Sequence, residues 1–190
     1  SEFLPQLQRA MRHADHIDLL SAFVQQSGVR LIADELVDAL ERRACVRVLT
    51  GDYLAITDPA ALQQLYTLTT QYPNLTVRFF EAGNTAIHPK AYVFRLGRDG
   101  IAFVGSSNLS RSALTNGVEW NLRAATTAQR ATFDRIVSRF DALWNAPASR
   151  PLTADLVASY QKSVRARPAP EPAPASPQPN AVQSEALQLL

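Results

Sequence analysis

Two side chains near the middle of the chain have the types and spacing needed to act on a phosphate group. His88 and Lys90 are separated by one proline at the start of an apolar segment that predicts a strand. Side chains two residues apart on an extended segment point to the same side, so we expect the imidazole and the ammonium to converge. The other histidines, His13 and His16, stand at the first predicted helix-to-strand connection and are interpreted as solvated turn residues. His88 is therefore the candidate nucleophile, and Lys90 is a cation that could hold its target.

A polar turn with sequence Gly-Ser-Ser-Asn at 105–108 follows the next predicted strand and precedes a short predicted helix. A strand end followed by a helix N-terminus presents backbone N–H groups and hydroxyls that suit a phosphate or an oxyanion. The candidate phosphate ligands in and after this turn are Ser106, Ser107, Asn108 and Arg111. Glu119, on the following predicted strand, has the type of side chain that fixes the tautomer of a histidine such as His88. The set favours phosphoryl transfer without a metal ion or another cofactor.

The order and spacing of these residues resemble the phospholipase D superfamily, whose motif reads H-x-K-x4-D, then G-S/T-x-N, then a downstream glutamate. The matching positions are His88, Lys90, Gly105, Ser106, Asn108 and Glu119. The resemblance implies that His88 is the nucleophile, forming a phosphohistidine, or the acid, and that Glu119 orients it. It also implies that Lys90, Ser106 and Asn108 bind the phosphate. The superfamily uses an α/β architecture.

The chain carries one H-x-K sequence, whereas the resemblance calls for two histidines in each site. The second histidine is therefore expected from a second subunit, in a two-fold homodimer with the site on its axis. Single-motif members of the superfamily are mostly nucleases. The resemblance thus implies a metal-independent phosphodiesterase that acts on nucleic acid.

Arg95 stands where the superfamily motif has aspartate. Odd spacing along an unbroken strand places residue 95 on the face opposite His88 and Lys90, so Arg95 need not touch the phosphate. A bulge at Pro89 would reverse that assignment.

Composition narrows the class of partner. Nineteen Lys and Arg against seventeen Asp and Glu leave a net charge of +2, so a polyanion must be met by a local patch. Residues 88–123 hold five basic and two acidic side chains, although Arg111 is equally consistent with a solvated surface residue. One cysteine excludes an intramolecular disulfide framework and fits a reducing compartment. No apolar run approaches the about 20 residues that span a bilayer, which predicts a cytoplasmic protein without a membrane partner.

The elements that must position these residues change character along the chain. The first half alternates strand and helix: the predicted strands are 17–24, 46–50 and 75–80, and the predicted helices are 3–14, 29–40 and 58–72. Ser27 is expected to cap the second helix, and Asp58 with Pro59 the third. Strands at 87–96 and 101–104 follow, joined by residues 97–100, whose Asp99-Gly100 pair is a hairpin signal, with a further strand at 118–125. Helices at 126–144 and 152–164 complete an α/β fold with a mixed sheet between helices on both faces. Trp120 is assigned to the core.

The proline distribution predicts the domain organisation. Residues 1–164 form the phospholipase D-like domain, 165–180 are a disordered Pro/Ala-rich linker, and 181–190 begin a following domain that the chain cuts short. Residues 1–164 also resemble the phospholipase D-like domain at the N-terminus of some bacterial superfamily 2 DNA/RNA helicases. That resemblance implies a helicase core in the same full-length chain as a partner.

Two other functions compete with the nuclease. A DNA-binding and dimerisation module of a helicase, with little or no turnover, is favoured by Arg95 and by the helicase resemblance. A lipid phosphodiesterase fits less well, because neither a second motif nor an amphipathic membrane face is apparent.

Overall fold

The computed structural model describes residues 3–53, 56–81 and 87–166. Its strands are β1 His16–Ser21, β2 Cys45–Gly51, β3 Leu75–Phe80, β4 Ala91–Leu96, β5 Asp99–Gly105, β6 Asn121–Ala125 and β7 Ser149–Pro151. Its helices are α1 Phe3–His13, α2 Gln26–Leu31, α3 Ala33–Glu41, α4 Pro59–Gln71, α5 Arg111–Leu114, α6 Thr126–Trp144 and α7 Ala154–Arg165. The predicted linker and the segment at 181–190 lie outside the described residues, apart from residues 165 and 166 at the linker's start.

The strands form one mixed sheet in the order β6-β5-β4-β1-β2-β3-β7. Strands β1, β2 and β3 are parallel, as expected for strands joined through helices, whereas β4, β5 and β6 are antiparallel neighbours. The register aligns Leu20, Ala91, Val104 and Leu122 on adjacent strands. The carboxyl ends of β1, β2 and β5 therefore lie at the same edge of the sheet as the amino ends of β4 and β6.

Helices cover both faces of the sheet, which confirms the predicted fold class. The larger core lies between one face and helices α1, α3, α4 and α7. On the other face α6 is the helix that packs on the sheet among the described residues, through Phe133, Phe140 and Trp144. No helix among the described residues is long and apolar enough to cross a membrane.

Several local predictions differ from the observed elements. The predicted helix at 29–40 is two helices that meet at Ile32, and Ser27 lies inside α2, whose N-cap is Gln25. The hairpin turn is residues 97 and 98, with Gly97 at φ +56°, because Leu96 already pairs with Asp99. Strands β4 and β6 begin later than predicted, which leaves residues 87–90 and 118–120 in the loops before them.

The start of α4 confirms its predicted cap. Asp58 is the N-cap residue, Pro59 occupies the first turn, and the Asp58 carboxylate accepts a hydrogen bond from the Ala60 N–H at 2.9 Å. The same aspartate also accepts from the Gln26 N–H at 3.3 Å, so this cap joins α4 to α2.

Candidate functional site

Polar side chains cluster at the edge of the sheet where β1, β2 and β5 end and β4 and β6 begin. His88 and Lys90 immediately precede β4, residues 106–108 follow β5, and Glu119 precedes β6. Loops at the carboxyl ends of strands are the usual place for a ligand in an α/β sheet. The chain order alone separates these residues widely, and the sheet brings them together.

His88 and Lys90 are in direct contact. The Lys90 Nζ lies 3.1 Å from His88 Nε2 and donates to the His88 carbonyl at 2.7 Å. Lys90 is buried and His88 is exposed, so the ammonium lies behind the ring. Because an ammonium can only donate, Nε2 acts as the acceptor and the neutral ring carries its proton on Nδ1. The predicted convergence of the two side chains is present, although the segment is a loop and not a strand.

Burial lowers the pKa of Lys90, and the negative charge of Glu119 partly opposes that shift. The Glu119 carboxylate itself accepts a short hydrogen bond from Ser106 Oγ, which in turn accepts from the Trp120 N–H at 3.0 Å. Among the described residues, Glu119 makes no hydrogen bond to His88. Its predicted role as the partner of the imidazole therefore has no contact to support it, and the geometry gives it two others: it orients Ser106 and acts electrostatically on Lys90.

Asn108 is held from one side of its amide. Its Oδ1 accepts from the Phe23 N–H at 3.3 Å and lies 3.3 Å from Ser21 Oγ. Ser21 Oγ also accepts from the Leu109 N–H at 2.9 Å. These contacts fix the turn after β5 against the end of β1. With Oδ1 so placed, the Nδ2 group of Asn108 is its donor for a ligand.

Ser107 and Arg111 are placed differently from the other candidate ligands. Ser107 is fully buried, and its Oγ accepts from Asn121 Nδ2 at 2.8 Å while its carbonyl accepts from the Tyr92 hydroxyl at 2.9 Å. Those contacts make Ser107 part of the scaffold that holds the turn. Arg111 is exposed at the start of α5, and within the described chain its guanidinium contacts none of the cluster residues.

Tyr53 is a site residue that sequence reasoning missed. Its ring meets the His88 ring edge to face at a centroid distance of 4.6 Å, and Lys90 Nζ lies 5.9 Å from the Tyr53 ring centroid. Tyr53 follows the carboxyl end of β2, which is parallel to β1. That position in the sequence is the signal from which it could have been predicted. The Tyr53 ring restricts the orientation of the His88 imidazole, a role that the sequence had assigned to Glu119.

Arg95 lies away from this cluster. Its guanidinium pairs with the buried carboxylate of Asp18 at 2.9 Å, and Asp18 also pairs with Arg47 at 2.6 Å. Val93, two residues before Arg95, packs on the α6 side of the sheet, and the pairing of β4 with β1 is continuous from residue 91 to 95, so Arg95 lies on the α6 side as well. Pro89 and Lys90 precede this ladder in a loop, so the strand alternation does not extend to them.

The assignment of Trp120 to the core is wrong. Trp120 is 85% exposed and is flanked by Val118 at 95% and Leu122 at 65%. Val118 and Trp120 lie in the loop before β6, at the edge of the described sheet, where side-chain alternation does not imply burial.

The donor types at this edge suit an oxyanion more than a cation. The imidazole and the Lys90 ammonium lie at the same end of the sheet as the Asn108 amide and the Ser106 hydroxyl. Within residues 3–53, 56–81 and 87–166, no three His, Cys, Asp or Glu side chains come together as a metal site would require.

Comparisons with known proteins agree with this architecture. The family model described as "Cardiolipin synthase, PLD-like domain" matches residues 4–144. No curated protein matches the chain. Among solved structures, the chain is similar to phosphatidylserine synthase of Haemophilus influenzae Rd KW20, with 16% identity and a TM-score of 0.59. It is also similar to polyphosphate kinase of Porphyromonas gingivalis, with 11% identity and a TM-score of 0.55. Each match covers 87% of this chain but only 40% and 27% of those chains respectively, so the likeness shows the fold.

Proposed function

The chain belongs to the PLD-like family, whose members carry out phosphoryl-transfer chemistry, and on that premise we propose that it is a phosphodiesterase that cleaves nucleic acid. In this proposal His88 forms a covalent phosphohistidine, no metal takes part, and the site is shared by two copies of the chain. The observation that carries the proposal is the contact of Lys90 Nζ with His88 Nε2 at 3.1 Å, at the end of the sheet where the turn with Ser106 and Asn108 also lies. A nucleophilic nitrogen, a buried cation and hydrogen-bond donors are the groups that phosphoryl transfer requires.

The proposed reaction has two steps in which atoms and protons balance. In the first, the Nε2 lone pair of His88 attacks phosphorus while Lys90 moves its hydrogen bond from that nitrogen to a phosphate oxygen. The bond from phosphorus to the leaving oxygen breaks, and that oxygen takes a proton from the protonated His88 of the second copy. In the second, water gives a proton to that histidine, attacks phosphorus and displaces Nε2. The Nδ2 group of Asn108 donates to a phosphate oxygen throughout.

The distribution of histidines supports a shared site. The full sequence contains three, and the remaining two, His13 and His16, lie at the opposite edge of the sheet. His16 pairs with Arg95 at the far end of β4, whereas His88 precedes the start of that strand. Within the described residues no second histidine lies at this edge, which supports a site completed by a second copy of the chain.

Cleavage in excess EDTA tests the proposal. The purified chain should hydrolyse DNA and a bis-aryl phosphodiester, and His88→Ala should reduce the rate by at least about 1,000-fold because the nucleophile is lost. His16→Ala is the matched control and should leave the rate unchanged. A covalent adduct of the protein with one product strand, joined by a P–N bond that is stable in base and labile in acid, should be trapped by rapid quenching. A native mass of one chain, or turnover retained by His88→Ala, would contradict the proposal.

A second candidate function, a DNA-binding and dimerisation module, is favoured by the same contact. The Lys90 ammonium occupies the nucleophilic nitrogen of His88, and the site keeps the donors that bind phosphate. Such a module would bind DNA without cutting it. Lys90→Ala would then weaken binding and flatten its salt dependence, whereas His88→Ala would leave the function of the full-length protein intact.

The proposal extends to the setting of the domain. Residues 181–190 would lead into a helicase core, the Pro/Ala-rich stretch at 165–180 would be the linker, and the protein would act in the cytoplasm. Mass spectrometry of the full-length protein from its host, together with cell fractionation, tests both statements.

A further inference from the structure

A groove of about 520 Å³ lies between the sheet and α6, beside the segment that carries His88. Its apolar lining is Leu20, Ala91, Val104, Ile136, Phe140 and Leu143. Pro89 and Lys90 also line it, so the groove borders the candidate site. Two further cations, Arg135 and Arg139, stand on its α6 wall, and none of the described lining residues is acidic.

The two acids of α6 do not line the groove, and each pairs with an arginine outside its lining. Asp134 pairs with Arg130 at 3.0 Å and Asp141 pairs with Arg47 at 2.9 Å, away from the groove lining. Arg135 and Arg139 make no ion pair with any acid of the described chain, and both are exposed. They lie four residues apart, so they occupy adjacent turns of the helix on one side. This spacing suits successive charges of an extended polyanion.

The exposed residues Val118, Trp120 and Leu122 form an apolar stripe at the start of β6. Leu122 pairs with Val104, which lines the groove. Trp120 is two residues earlier, and its backbone N–H donates a hydrogen bond to Ser106 Oγ. The Ser106 N–H donates to the Trp120 carbonyl at 3.0 Å, one step beyond the last pair of the ladder, so alternation from Leu122 places the Trp120 side chain on the side of Val104. A side chain 85% exposed is therefore two residues from Leu122, whose partner Val104 lines the cationic groove, and its backbone is bonded to the turn that carries the phosphate donors.

We propose that the site takes single-stranded nucleic acid, with the backbone along Arg135 and Arg139 and a base stacked on Trp120. Cations that follow a backbone and an exposed aromatic ring that stacks a base are the two components of single-strand binding. A duplex hides its base faces and cannot use the ring. This inference rests on the proposed function for its substrate and adds the strand form.

Val118, Trp120 and Leu122 would form only part of an interface with a second copy of the chain. An aromatic side chain buries at most about 250 Å². A stable interface needs about 800 Å² on each partner, so Val118, Trp120 and Leu122 would supply only part of one.

Binding of a labelled oligo(dT) and of a duplex of equal length tests the inference, with His88→Ala as the background that keeps the strands intact. We expect single-strand affinity to fall about tenfold or more in Trp120→Ala and in Trp120→Leu, with duplex affinity changed less than twofold. Arg135→Gln with Arg139→Gln should lower the slope of log affinity against log salt by about 1.4. Arg9→Gln with Arg30→Gln removes the same charge from exposed arginines elsewhere and should leave affinity for both strand forms within about twofold of the parent.

Intrinsic fluorescence gives an independent readout. The chain has two tryptophans, and Trp144 is buried against Phe140, so quenching by oligo(dT) reports on Trp120. The quenching should disappear in Trp120→Leu.

The outcomes separate this inference from the proposed function. Cleavage without metal combined with equal single-strand and duplex binding, or unchanged binding in the groove variants, overturns the inference and leaves the phosphodiesterase standing. Selective single-strand binding without any cleavage supports the inference and refutes the phosphodiesterase. Full binding by Trp120→Leu, with a native mass halved in Trp120→Ala, identifies the stripe as a subunit interface and overturns the stacking role.

Discussion

Replacing Asp18 with asparagine should destabilise the fold by about 3 kcal/mol. Asp18 is 1% exposed and pairs with Arg47 at 2.6 Å and with Arg95 at 2.9 Å. Removing one partner of a buried ion pair costs about 3–5 kcal/mol, because the remaining charge is left without compensation. The two guanidinium groups are 21% and 30% exposed, so water would relieve part of that cost and the lower end of the range applies.

Urea denaturation at a fixed protein concentration measures this effect, with an unchanged m-value as the sign that only stability has moved. A loss of about 3 kcal/mol corresponds to a fall in Tm of roughly 6–12 °C for a domain of this size. Asp134→Asn, which breaks an exposed pair with Arg130, is the matched control and should cost less than about 0.5 kcal/mol. Adding Arg95→Met to Asp18→Asn should recover part of the loss, because one of the two uncompensated cations is removed.

A loss below about 1 kcal/mol in Asp18→Asn would refute the reasoning. It would mean that Arg95 is accommodated without its carboxylate. In that case the position where the superfamily motif has aspartate would need an explanation other than an ion pair on the α6 side of the sheet.

Two further predictions concern the turn after β5. Gly105→Ala should lower the free energy of unfolding by at least about 2 kcal/mol and shift the Trp120 fluorescence. The added Cβ would lie 1.9 Å from the Trp120 carbonyl oxygen, so the backbone of one strand would have to move. A free energy of unfolding in urea within about 0.5 kcal/mol of the parent would contradict the close approach of the two strands. Glu119→Gln should lower the pKa of Lys90 further, because the charge of Glu119 opposes the effect of burial. The affinity for phosphate should then begin to fall at a lower pH on the alkaline side. Glu81→Gln, at an exposed acid, is the control; if the two variants have the same dependence of affinity on pH, Glu119 has no effect on Lys90.

The pKa of Lys90 also determines the sign of its effect on stability. Burial lowers this pKa in the folded chain, so the unfolded chain binds more protons and the free energy of unfolding rises with pH. The penalty for burying the ammonium is present at neutral pH. It is relieved as the pH rises through the lowered pKa towards the ordinary value of about 10.5. A phosphate bound at Lys90 would reverse this shift.

The sequence by itself determined what depends on near neighbours along the chain. The spacing of two residues kept Lys90 close to His88, the Asp58-Pro59 pair capped α4, and the alternation of strand and helix followed by consecutive strands indicated the mixed sheet. These features rest on backbone geometry within a few residues, which any chain with that local sequence must obey.

Only the tertiary structure decided which distant groups meet. The pairing of β2 with β1 places Tyr53 against His88. The pairing of β5 with β6 places Glu119 beside Ser106 and not beside the imidazole. The pairing of β4 with β1 places Arg95 beside the carboxylate of Asp18. The exposure of Trp120 followed from the position of β6 at the edge of the sheet. Strand order and edge position arise from contacts between segments far apart in the chain, and side-chain periodicity reports which residues share a face but not what that face meets.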